Sequence, residues 1–172
     1  MSKVEVRSHL DRAEVLDVFD LVDSATRHDG ITPLSEHVML HLRHGGDEDV
    51  RHVLARGDDG QLSGYAHLDV TDLVEGPSAE MVVAPPMRRH DLGRAIVEEL
   101  ILISDRDAPG RGLRLWAHGE SEAARGLADI EDAHGCSPAK RLMWNGSIGV
   151  EVAPVAISNI VYRTAWSGCA RR

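Results

Sequence analysis

Apolar positions first recur with helical spacing in "DRAEVLDVFDLVDSATR", Asp11 to Arg27, where Val15, Val18, Phe19 and Val22 share one stripe. Asp29-Gly30 then punctuates the helix. A second helix is predicted from near Ser35, with Val38, Met39 and Leu42 on one face and Gly45-Gly46 as its stop. From there the period shortens to two. Val50 to Arg56 alternates, "DDG" at Asp58 to Gly60 is a turn signal, and Leu62 to Val70 follows as a second strand, so a hairpin is expected. Met81 to Ala84 reads as a short buried strand. Gly93 to Ser104 returns to helical spacing, with Ile96, Leu100 and Ile103 aimed at a core. Leu113 to His118, "LRLWAH", reads as a strand. Ser121 to His134 reads as a helix with Gly126 inside it, and Leu142 to Trp144 as the start of a last strand.

The expected order is therefore two helices, an antiparallel meander, then strand, helix, strand, helix. That order implies an α/β (α+β) fold, a mixed sheet flanked by helices. There is no internal repeat and no low-complexity segment. The stretch "GSIGVEVAPVAISNIVYRTAWSGCARR" changes character and shows no clean helical stripe. One domain over residues 1–146 is expected, with 147–172 an atypical tail or the truncated start of a second unit.

Composition sharpens this only in places. The 172 residues fit one domain of ordinary size. Aromatic content is 3%, so the core must be built from Leu, Val, Ile, Ala and Met. The formal net charge of -9 argues against broad electrostatic binding to nucleic acid or an anionic membrane, but leaves room for a local anion site. Cys136 and Cys169 form no CxxC pair, which favours a reducing, cytoplasmic setting. The first residues carry no apolar signal-peptide core, and the apolar runs are far short of a membrane span.

The chemistry concentrates in "VVAPPMRRHDLGRAIV", Val82 to Val97. A cationic cluster sits between the end of a strand and the start of a helix. A helix N-terminus leaves backbone N–H groups unpaired and carries partial positive charge, so it suits a phosphate. Gly93 allows close approach to the backbone, and Arg88, Arg89 and Arg94 add full charges. Pro85 and Pro86 end the preceding strand. From spacing alone, a pyrophosphate site and a solvated basic loop are about equally good readings.

This stretch resembles the acyl-CoA motif of the GCN5-related N-acetyltransferases, R/Q-x-x-G-x-G/A after a V-x-P strand end. "LRLWAHG" at Leu113 to Gly119, "LSGYAHLDV" at Leu62 to Val70 and "HDGITPLSEHVML" at His28 to Leu40 narrow the resemblance to the N-terminal half of the mycothiol acetyltransferases, over about Val15 to Trp144. That family has two tandem halves and moves an acetyl group from acetyl-CoA to the cysteinyl amine of a cysteinyl-glucosaminyl-inositol. The resemblance implies acetyl-CoA as co-substrate and no metal. It implies that Met81, Val82 and Val83 hydrogen-bond the pantetheine. Arg88, Arg89, His90, Asp91, Leu92, Gly93 and Arg94 would wrap the pyrophosphate, and Glu36 would touch the sugar-inositol substrate. Two departures stand out. Asp91 replaces the first motif glycine, and the chain stops near where the second half, which carries the transfer chemistry, would begin. A stand-alone acetyltransferase of another small amine and a non-catalytic acyl-CoA-binding domain remain as alternatives.

Other candidates are weaker. His37, His41 and His44 are spaced to share a helix face, but a solvated polar face accounts for them better than a metal site. His118, at a strand end, reads as structural before catalytic. Cys136 reads as a small buried or loop residue. Of the two tyrosines, Tyr65 reads as core packing and Tyr162 falls in the atypical tail. No general acid or base is assigned.

Overall fold

The computed structural model describes residues 3–45, 49–72 and 74–118, together with the strands 141–145 and 157–163. Among the described residues, seven strands and three α-helices run in the order β1 (Lys3–Arg7), α1 (Arg12–Asp29), α2 (Glu36–His44), β2 (Val50–Arg56), β3 (Leu62–Asp69), β4 (Ser78–Val83), α3 (Leu92–Asp107), β5 (Arg114–His118), β6 (Arg141–Asn145) and β7 (Ile157–Arg163). They form one mixed sheet in the order β1-β2-β3-β4-β5-β7-β6. β1 to β4 are antiparallel neighbours, β5 lies parallel to β4, and β7 is antiparallel to both β5 and β6.

The helices form where the sequence caps them. Asp11 accepts from the Glu14 amide while Glu14 reaches back to the Asp11 amide, a full capping box at the start of α1. Gly30 closes α1 in the left-handed conformation at φ 73°, which only glycine adopts cheaply. Ser35 caps α2 through the Val38 amide.

Strand alternation sorts the side chains into two cores. Val53, Ala55, Ala66, Leu68 and Ala79 face α3, whose Leu92, Ile96, Leu100 and Ile103 are buried against them. Leu54, Tyr65 and Val82 face the other way, onto Val18, Leu21, Val22 and Ala25 of α1 and Leu34, Val38 and Leu42.

Three expectations need correction. The chain opens on a strand, not a helix: Lys3–Arg7 pairs with all of His52 to Arg56 at the sheet edge. It is five residues long, so alternation of Val4 and Val6 was its only mark. Second, the tail contains a strand, Ile157–Arg163, seated between β5 and β6. Third, β4 starts at Ser78, earlier than the apolar run Met81 to Ala84, because Glu80 breaks that run while keeping strand register. The predicted helix Ser121 to His134 and both cysteines lie outside the described residues.

Candidate functional site

β4 and β5 pair over only three residues, Ser78, Ala79 and Glu80 with Arg114, Leu115 and Trp116. Beyond that point β4 continues to Val83 and β5 to His118 without pairing to each other. Met81, Val82 and Val83 keep their pairing to β3 on one edge, opposite Ala66, Tyr65 and Gly64. The Ala84 amide donates to the Ser63 carbonyl of β3. Backbone groups alternate sides along a strand, so the N–H and C=O of Val83 point to the opposite edge, into the opening beside β5. The Val83 carbonyl there accepts a hydrogen bond from Arg88 Nε at 3.1 Å.

The connection from β4 to α3 is tightly turned. Pro85–Met87 forms one 3₁₀ turn. Arg89 and Asp91 both adopt positive φ, 66° and 60°, on either side of His90, whose Nδ1 bonds the Arg88 carbonyl at 2.8 Å. Alternation in the sign of φ curls successive N–H groups toward one concave side, the geometry of an anion nest. α3 follows directly. Unlike α1 and α2 it has no side-chain cap: Asp91 occupies the N-cap position at φ 60°, ψ 0° and accepts nothing there. Its backbone carbonyl still accepts from the Ala95 amide. The amides of Leu92, Gly93 and Arg94 are the ones an α-helix cannot satisfy internally. They stand at the positive end of a 16-residue helix.

The cations of this turn are not equivalent. Arg89, His90 and Asp91 are exposed. Arg94 pairs one turn on with Glu98 at 2.9 Å, and that bond, with the charge of Asp91 adding to it, raises the Arg94 pKa. Arg88 forms a bidentate pair with Asp29, Nη1 to Oδ1 at 2.7 Å and Nη2 to Oδ2 at 2.6 Å. That pair, helped by His28, holds the Asp29 carboxyl below its usual range against the effect of partial burial.

Glu36 is the first residue of α2 and is exposed. The preceding Ser35 amide donates to Glu80 Oε2 at 2.6 Å, and Glu80 is the last β4 residue before the opening. Glu36 thus directly follows the residue tethered to Glu80, a tether that no local sequence pattern reveals.

The histidine reading changes. His37 and His44 are exposed as a polar face requires, but His41 turns inward. Its ring centre lies 4.9 Å from that of His67 and 6.1 Å from that of His52. His52 and His67 are 5% and 2% exposed, and His52 Nδ1 bonds the Tyr65 hydroxyl at 2.8 Å. Burial, reinforced by the neighbouring imidazoles, lowers the pKa of His52 to about 3 and of His67 to about 4. Tyr65 is fully buried, and burial raises its pKa, so it is core as expected. Among the described residues no group of three or more His, Cys, Asp or Glu side chains is arranged to hold a metal ion. The side chains of His118 and Tyr162 lie outside the described residues.

Comparison with known proteins yields no matching family model. The chain is 50% identical over 128 residues to the mycothiol acetyltransferase of Streptosporangium roseum, covering 74% of this chain and 36% of that one. It is 50% identical over 128 residues to the mycothiol acetyltransferase of Acidothermus cellulolyticus, covering 73% and 38%. With that of Streptomyces griseus it shares 44% over 128 residues, covering 74% and 40%. The chain thus spans well under half the length of the curated relatives it matches. Among solved structures, the GNAT-family acetyltransferase of Streptococcus pneumoniae superposes with a TM-score of 0.62 at 14% identity, over 94% of this chain and 99% of that one. The ribosomal-protein-S18-alanine N-acetyltransferase of Escherichia coli gives 0.61 at 16% identity, over 98% and 97%. The fold is that of the GNAT acetyltransferases, and no helix among the described residues is long and apolar enough to cross a membrane.

Proposed function

We propose that this chain is the acetyl-CoA-binding N-terminal half of a mycothiol acetyltransferase-type enzyme. The observation that carries the reading is the juxtaposition of an unpaired strand edge with an uncapped helix N-terminus. Met81 to Val83 leave the β4–β5 ladder, and α3 begins its run of unsatisfied amides nine residues after Val83, joined by the curled turn. A pantetheine chain lies along the strand edge and makes sheet-like hydrogen bonds. The pyrophosphate sits against the amides from Arg89 to Arg94, where helix dipole and nest add to one another. The sequence similarity supports this substrate class, since relatives at 50% identity carry the mycothiol acetyltransferase name.

The transfer needs a neutral cysteinyl amine, a donor for the tetrahedral oxyanion and a proton for the departing CoA thiolate. The Val83 amide faces the opening and is the donor this half offers. Tyr65 is no proton source: it is buried and bonded to His52. Glu36 contacts the sugar or the amine of cysteinyl-glucosaminyl-inositol, and its position one residue past the Glu80 tether supports this. The isolated chain is expected to bind acetyl-CoA in a calorimetric titration while releasing no CoA in response to the amine. Amine-dependent turnover of about 1 per second or faster would reject the half-enzyme reading. A second reading has its own support: single acetyltransferase domains cover this chain almost end to end, so a stand-alone enzyme for another small amine fits the fold. Turnover with other amines in the same assay separates the two. Glu36→Gln, placed in a protein that includes a second half, is expected to weaken the amine substrate and leave Tm unchanged. Equal affinity for both proteins would leave Glu36 as a dipole-complementing surface carboxylate.

A further inference from the structure

Arg88 belongs to the cationic cluster, yet its guanidinium is engaged inside the protein. Nε donates to the last β4 carbonyl, Val83, and both Nη groups grip Asp29. The planar fork suits a carboxylate in this bidentate mode, and lysine cannot reproduce it. Side-chain exposure is 20% for Arg88 and 26% for Asp29, so water screens the pair only in part. Asp29 is the final residue of α1 and opens a connection to α2 that has no ladder of its own.

That connection is attached to β4 and its loop at three places. Asp29 meets Arg88 at one end. Leu34, 2% exposed, packs in the same core as Val82. Ser35 donates its amide to Glu80 at the other end. Two of these anchors lie inside β4, whose pairing with β3 is fixed. The third, Arg88, lies in the turn that precedes α3.

We propose that Arg88 and Asp29 form a latch that joins the acyl-CoA turn to the segment carrying Glu36, making Arg88 a positioning residue and not a phosphate ligand. The proposal deepens the acetyl-CoA reading and rests on it for the ligand. The latch holds the Val83 carbonyl, the turn and the α1–α2 connection in one arrangement, so ordering one favours ordering the other. Coupling of this kind is reciprocal: whatever acetyl-CoA gains from a seated connection, the acceptor gains from bound acetyl-CoA.

Electrostatics alone predicts the opposite sign from the latch. Asp29→Asn removes a negative charge near a bound polyanion and frees Arg88 to reach it, which should tighten acetyl-CoA. The latch predicts looser binding, by about fivefold or more. Arg88→Lys keeps the charge but loses the fork. It should behave like Asp29→Asn if Arg88 positions, and like the native chain if Arg88 serves as a point charge. The measurements are acetyl-CoA Kd by calorimetry and amide exchange of Ile31, Thr32, Leu34 and Ser35 in the ligand-free protein. Faster exchange at these amides in both variants, with weaker acetyl-CoA binding, is the expected result. Unchanged exchange in both overturns the latch, whatever the affinity does. Tighter binding in Asp29→Asn overturns the positioning role and makes Arg88 a phosphate ligand restrained by Asp29. If the native chain binds no acetyl-CoA, the proposed function fails, while exchange at these four amides still decides the latch. Should Asp29→Asn not fold, Asp29→Glu, which keeps the charge and displaces the carboxylate, carries the same readouts.

Discussion

Arg89 and Asp91 pay a conformational cost that glycine would avoid, since a left-handed backbone disfavours residues with a Cβ by roughly 1–2 kcal/mol, less for aspartate. At Asp91 charge adds to geometry. A carboxylate about 4 Å from a phosphate costs roughly 1 kcal/mol in water and about 4 at an effective dielectric near 20. The neighbouring Arg94 offsets part of this. Asp91→Gly is therefore expected to tighten acetyl-CoA about ten- to thirtyfold, a gain of about 1–2 kcal/mol. Calorimetry on the two proteins checks it, and equal affinities would place Asp91 outside any phosphate-binding turn. Arg89→Gly separates geometry from charge: denaturant unfolding should show a gain of up to about 1 kcal/mol in stability, even though a cation is lost. The sequence made Asp91 conspicuous because it broke a motif. It made Arg89 look like a charge only, because arginine carries no signal for positive φ. Nor could it show that Arg88 is paired, since Asp29 lies 59 residues away and the partnership exists only after folding.

At the scale of elements, the placement of α3 depends on a residue in another strand. A Cβ built on Gly64 of β3 would come within 2.6 Å of Ile96 Cδ1 and 3.4 Å of Ala55 Cβ. Gly64→Ala is expected to push α3 off the sheet and cost about 1–3 kcal/mol of stability. Its amides at Leu92 to Arg94 would move with it. Acetyl-CoA affinity should fall together with Tm, and a variant that loses neither would show that Ile96 simply rotates away. Periodicity made α1, α2, the β2–β3 hairpin and α3 legible because each repeats an apolar pattern over two turns or more, or alternates across a clear turn signal. β1 was illegible because an edge strand of five residues shows too few alternations. The place of the strand Ile157–Arg163 in the sheet was not legible either, since it depends on β5 and β6 and not on the strand's own pattern. The end of the β4–β5 pairing at Glu80 is tertiary as well: nothing in "EMVV" says which edge will be left open.

The whole molecule carries a pH dependence in its second core. His52 and His67 are folded in neutral form, with pKa values of about 3 and about 4, lowered first by burial and then by nearby imidazoles, while Glu80 and Asp69 partly oppose the shift at His67. Both groups titrate near 6.5 once unfolded. As pH falls below that value, the unfolded chain takes up protons that the folded chain refuses, so stability declines with acidification. Each histidine contributes up to about 1.4 kcal/mol per pH unit, and the decline runs from about pH 6.5 toward pH 4. Urea unfolding between pH 7 and 4.5 should reveal it, and His67→Met should remove about half of the slope. Constant stability over that range would mean that the two imidazoles are already solvated or charged in the fold. The central claim is that one ligand bridges the open edge of β4 and the start of α3. Amide hydrogen exchange with and without acetyl-CoA tests it most directly. The account predicts ligand-dependent protection at Val83 and from Arg89 to Arg94, with the distal β1–β2 pair unchanged. Binding that protects other amides and leaves these untouched, or no protection at saturating acetyl-CoA, would contradict it.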